Sequence, residues 1–89
     1  MRFEWDEDKR QATLARRGID FIGMAALFDG RPVVTYPSPR LGEERWVTVG
    51  LIEGKAFAVV WMVRGENVRI ISARRARDGE ERAYRELHG

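Results

Sequence analysis

The sequence predicts an α+β domain, and three observations carry that reading. Helical signals cluster in the first third of the chain, four short apolar or alternating segments separated by turn residues follow, and a polar helical pattern closes it. Helices placed ahead of a strand meander predict an antiparallel sheet with the helices segregated to one face. There are no repeats, low-complexity stretches or long linkers, so 89 residues make one domain over residues 1–89.

Each element has its own local signal. Arg2-Phe3-Glu4-Trp5 alternates polar and apolar, which suits a short first strand. Asp6 is placed to N-cap a helix, with Glu7 and Asp8 in its first turn, Arg16 and Arg17 in its last and Gly18 as the C′ residue. Its apolar stripe (Ala12, Ala15 and nearby Leu14) is thin, which predicts a surface helix. Asp20 caps a second, short helix whose Phe21, Ala25 and Phe28 recur on one face, and Asp29-Gly30 stops it. Strands are predicted over Arg31–Tyr36, Trp46–Ile52, Lys55–Arg64 and Asn67–Ala73, with an exposed loop from Pro37 to Glu44 and turns at Glu53-Gly54 and Gly65-Glu66. Val47, Val49 and Leu51 share one face of their strand, whereas Lys55–Arg64 is apolar on both faces, as a central strand is. A polar helix is predicted from Arg75 to Leu87.

Composition narrows the chemistry. The chain has no cysteine, so it has neither disulfides nor thiolate metal sites, which fits a cytosolic protein. No apolar run approaches the ~20 residues of a membrane-spanning helix, and the N-terminal residues lack the apolar stretch of a signal peptide. Residues 1–44 carry seven basic and eight acidic side chains, a balance of −1, while residues 45–89 carry nine and six, a balance of +3. Fourteen of the sixteen basic residues are Arg, whose planar fork matches phosphate and carboxylate bidentately, so the basic half points to phosphate or nucleic acid. A codon bias towards Arg is the plain alternative.

The candidate site residues are the arginines at strand ends. Arg45 opens a strand, Arg64 ends one, Arg69 lies inside one, and Arg74 and Arg75 leave one. A hairpin at Gly65-Glu66 brings Arg64 and Arg69 near one another, where converging guanidiniums could hold a phosphate. The competing structural role is solvation, or pairing with Glu44, Glu53 or Glu66. Glu80 and Tyr84 share a helix face at i, i+4. The Tyr84 phenol is either an anchor to the sheet or a proton donor. Trp5, Trp46 and Trp61 read as core or half-buried residues, with stacking on a nucleobase the alternative for an exposed one. The single histidine, His88, sits beside the C-terminus. No transition-metal set, Ser-His-Asp triad or phosphate-binding glycine loop is present, and no cofactor is expected.

Longer stretches carry a resemblance. Phe3-Glu4-Trp5-Asp6-Glu7 with Lys9, then Arg17-Gly18-Ile19 and Phe21, resembles the opening of BrnT-type toxins. Glu44-Arg45 and Thr48-Val49-Gly50-Leu51 resemble their middle. Arg64-Gly65, Val68-Arg69-Ile70-Ile71-Ser72-Ala73-Arg74-Arg75-Ala76, Glu80 and Tyr84 resemble their end. The resemblance covers nearly the whole chain in order. It implies a RelE-like fold and a ribonuclease toxin of a type II toxin–antitoxin pair, neutralised by a BrnA-type antitoxin through which alone the complex meets operator DNA. On that reading RNA is cleaved without metal in the cytoplasm. Arg64, Arg69, Glu80, Tyr84 and Lys9 are the catalytic candidates, and Arg45, Arg74 and Arg75 the phosphate contacts. Three departures stand out. Arg16-Arg17 replace a common Lys-His, Thr13 replaces an Asn, and Asp78-Gly79 stand where basic residues usually precede the closing Glu. They motivate a second reading, an antitoxin-binding subunit of little or no activity that acts in operon autoregulation.

Overall fold

The computed structural model describes every residue from Met1 to Gly89. Strand β1 spans Arg2–Glu4, helix α1 Glu7–Arg17 and helix α2 Phe21–Met24, which tightens into a 3₁₀ turn over Ala25–Phe28. Four strands come next: β2 Val33–Pro37, β3 Trp46–Ile52, β4 Lys55–Arg64 and β5 Asn67–Arg75. Helix α3 spans Asp78–His88. One five-stranded sheet has the order β1-β5-β4-β3-β2. The pairs from β2 to β5 are antiparallel, but β1 joins β5 in parallel, so the sheet is mixed.

The predicted caps form. Asp6 accepts from the Lys9 amide at 3.3 Å, Asp20 accepts from the Ile22 amide at 3.0 Å, and Gly18 closes α1 at φ 70°. Helix α1 buries none of its residues. Polar contacts hold it instead. Arg10 grips Glu7 on its own helix and both oxygens of Asp20 at 3.1 Å, and Arg17 donates to the Ala73 carbonyl at 2.9 Å. That last bond satisfies a carbonyl on the edge of β5, beyond the stretch that β1 covers.

The sheet has an apolar core on each face. On one face Ile19, Phe21, Met24 and Leu27 pack on Val59, Ile70 and Ala73, and the partly buried Phe3, Phe28 and Trp61 close around them. On the other face Tyr84 of α3 packs with Val47, Val49 and Ala58. This overturns the expected segregation of all helices to one face. The apolar parity of β4, with Ala58 on one side and Val59 on the other, already required cover on both sides.

Two boundaries also move. β5 continues through Arg75, because Arg74 and Arg75 still pair with Ala58 and Phe57, and α3 therefore starts at Asp78 rather than at Arg75. β2 starts at Val33 because Arg31 folds back onto Asp29, donating from its backbone and its guanidinium.

The β4–β5 pairing is irregular at one point. Its register shifts between Val60, opposite Ser72, and Trp61, opposite Ile70, which leaves Ile71 as an extra residue in β5. Such a bulge bends its strand and re-aims the side chains around it.

Candidate phosphate-binding groove

Helix α3 packs mainly on β2 and β3, over Ala58 of β4 as well, and leaves the same face open around Val60, Ile71 and Ser72. This open part, with the edge of Val47 in β3, forms the floor of a groove of about 470 Å³, made by Val47, Val60, the bulged Ile71 and Ser72. Lys9 and Arg17 of α1 wall it on one side, Ser38, Arg40 and Arg45 of the β2–β3 loop on the other, and Tyr36, Arg74 and Arg77 complete it. Six basic side chains thus line the groove, and no carboxylate does. A concave surface of one charge sign beside an apolar floor concentrates anions.

The cations divide by partner. Arg45 pairs with Glu43 at 2.7 Å, Arg74 pairs with Glu80, and Arg17 is committed to the Ala73 carbonyl. Lys9, Arg40 and Arg77 have no acidic partner, so a ligand's negative charge would be their first.

Glu80 organises one end. Arg74 grips it with two parallel bonds, 2.7 Å to Oε1 and 2.9 Å to Oε2. The Tyr36 hydroxyl donates to Oε2, and the Arg77 amide donates to Oε1 at 2.8 Å, so Glu80 also serves as the N3 residue closing the first turn of α3. Burial alone would push its carboxyl up; the Arg74 fork, the Arg77 amide and Tyr36 outweigh burial and hold it at about 2. The Tyr36 phenol moves the other way, raised by burial and then by the anionic Glu80. The Arg74 guanidinium is pushed up by its bonds to Glu80. The Arg74–Glu80–Tyr36 cluster is therefore a fixed, ionised unit with Arg74 and Tyr36 on the groove side.

Lys9 and Arg45 also line a smaller recess of about 210 Å³ that adjoins the groove and contains Arg69. Arg69 donates to Glu4 of β1 at 2.8 Å, and Arg64 reaches the same oxygen at 3.8 Å. The two arginines expected to converge across the hairpin do so, but on Glu4, which the Asn67 amide and the two guanidiniums hold below the usual carboxylate range. Arg64 is the more open of the pair, with a side chain 62% exposed.

Two candidates lie elsewhere. Tyr84 is buried beneath α3, its ring 5.0 Å from that of His88, which bonds the Val33 carbonyl at 2.8 Å. Arg75 stands over the Phe57 ring on the opposite face and donates to the Ala56 carbonyl. The fold therefore unites Lys9, Arg45, Arg74 and Glu80 at the groove, puts Arg69 in the adjoining recess and leaves Arg64 outside both, on Glu4. Tyr36, Arg40 and Arg77 complete the groove without having been singled out. Tyr36 shares a face of β2 with Val34, a signal whose direction depends on pairing with β3.

A family model described as the ribonuclease toxin BrnT of type II toxin–antitoxin systems matches residues 5–80. The chain belongs to the BrnT family. A search of curated proteins gave no match. The span shared with BrnT contains every cation of the groove, from Lys9 to Arg77, and ends on Glu80. As a type II toxin family, BrnT brings with it an antitoxin partner. No helix is long and apolar enough to cross a membrane.

Proposed function

We propose that this BrnT-family protein is a metal-independent endoribonuclease of RelE-like fold that arrests growth in the cytoplasm until a BrnA-type antitoxin covers it. The observation that carries the reading is the groove, whose lining holds six basic side chains and no carboxylate, with only Arg45 and Arg74 paired to acids beside it. Such a lining neutralises phosphate with side chains, where a site built for a divalent cation would present carboxylates. Cleavage by the neighbouring ribose 2′-hydroxyl requires that hydroxyl to lose a proton, the phosphorane charge to be held and the leaving oxygen to be protonated. Lys9, Arg40 and Arg77 are the phosphate cations still free of acids, with Arg45 and Arg74 beside them. Lys9 and Tyr36 carry exchangeable protons at the groove, and Glu80 acts as a positioning residue that holds Arg74 and Tyr36. Arg69 in the adjoining recess, and Arg64 beside it on Glu4, are outlying phosphate contacts.

The test is direct. Folded, antitoxin-free protein should degrade single-stranded RNA in EDTA; intact RNA at high enzyme concentration would sink the reading.

A second reading has its own observation. The groove offers no free carboxylate or imidazole as a general base, since Glu80 is locked and His88 is bonded to β2. That arrangement suits an antitoxin-binding subunit that holds anions without cutting them. Expression without the neighbouring antitoxin gene separates the two: arrest with RNA loss supports the nuclease, and unaffected growth at good expression supports the subunit.

A further inference from the structure

The three tryptophans are not equivalent. Trp5 donates its indole N–H to Glu7 and Trp61 donates to Thr48 at 2.7 Å, whereas half-buried Trp46 makes no such bond. Trp46 is the outer member of an aromatic series: its ring stacks on Trp61 at 6.3 Å, and Trp61 meets Phe28 at 5.4 Å edge-on. The bond from Trp61 to Thr48, itself held by Thr35, fixes the inner ring and so braces the outer one. Trp46, Pro37, Pro39, Glu44 and Arg45 line a cleft of about 190 Å³. Glu43 is spent on Arg45, but exposed Glu44 makes no ion pair. Arg45 lines both this cleft and the cationic groove, so the two adjoin at that residue.

We infer that this cleft is a nucleobase subsite that selects guanine next to the phosphate held by Arg45; the inference rests on the protein's binding RNA. A braced indole with proline walls offers a base a flat, preorganised face. Glu44 presents acceptors only. Guanine alone sets two adjacent donors, N1–H and the N2 amino group, along its Watson–Crick edge, and these match a carboxylate bidentately. Adenine and cytosine set a ring acceptor beside their amino group, and uracil flanks its single donor with two carbonyls, so each turns at least one lone pair towards Glu44.

Binding to short 2′-O-methyl RNAs, all uridine except for one central base, tests the subsite without cleavage. The guanine oligonucleotide should bind about tenfold or more tightly than the adenine, cytosine or uracil forms. Glu44→Gln should bring all four within about twofold, since the amide replaces one acceptor by a donor. Trp46→Leu should weaken every oligonucleotide roughly tenfold, and Trp46→Phe, which keeps an aromatic face, should restore most of that loss. Should Trp46→Leu fail to fold, Glu44→Gln and Trp46→Phe carry the decision. Equal binding of all four bases by the wild type, or a guanine preference that survives Glu44→Gln, overturns the subsite and leaves the groove standing. Failure of the folded wild type to bind any oligonucleotide at low salt overturns both.

Discussion

Glu80 ties the groove to the stability of the fold. Its carboxyl is held at about 2, below the ~4.3 of a free glutamate. A folded value below the unfolded one adds stability that is complete above the unfolded value and is lost as pH falls towards the folded one. The melting temperature should therefore fall between about pH 5 and pH 2, and Glu80→Gln should flatten that slope in thermal melts across the range. Arg74→Ala should lower both melting temperature and RNA cleavage, because it strips a nearly buried carboxylate of its main partner. Lys9→Ala and Arg40→Ala should shift stability by no more than about 0.5 kcal/mol. Each should nevertheless cut cleavage on the order of a hundredfold, the loss of roughly 2.7 kcal/mol of charge stabilisation. Unchanged cleavage in both would move the site away from the groove. At this scale the sequence disclosed residue types well and directions poorly. Arg74, Glu80, Lys9 and Arg45 were legible as chemistry, whereas Tyr84 turns into the core and Arg75 to the far face because strand parity and helix docking decide both. Glu4 was invisible as the acid shared by Arg64 and Arg69, because β1 meets β5 across more than sixty residues, from Glu4 to Arg69.

Among the elements, β3 and the 3₁₀ turn meet closely at Gly50. A Cβ on Gly50 would lie 2.8 Å from Leu27 Cδ2 and 3.1 Å from Val33 Cγ1, and Leu27 is only 2% exposed. Gly50→Ala should therefore overpack the core and cost about 1–3 kcal/mol. In a domain of this size each kcal/mol lowers the melting temperature by about 4–8 °C, which calorimetry or circular dichroism would read. An unchanged melting temperature would mean that Leu27 has room to move. The locations of the elements were largely legible. Caps at Asp6, Asp20 and Gly18, and turns at Gly54 and Gly65, are local signals that neighbouring residues satisfy. The side of the sheet on which α3 lands was not legible, because a single buried anchor, Tyr84, commits it. Nor was the bulge at Ile71, which exists only relative to the register of β4.

At the scale of the whole molecule, a net charge of +2 understates the surface that RNA would meet. If three groove cations neutralise phosphates, log affinity for single-stranded RNA should fall with log salt at a slope of about −2, from −0.7 per contact. Filter binding across a salt series would measure it, and a slope near zero would rule out phosphate contacts as the source of affinity. The parallel pairing of Arg2–Glu4 with Asn67–Arg69 has a consequence for a chain that emerges from the ribosome N-terminus first. Its first strand has no edge to join, and Lys9 and Arg17 have no β5 to lie against, until the last hairpin has been translated. A fragment ending at Glu66 should accordingly show neither a protease-protected α1 nor cleavage of RNA, whereas the 89-residue chain should show both. A nascent toxin would thus stay harmless to the message that encodes it until β5 had been translated.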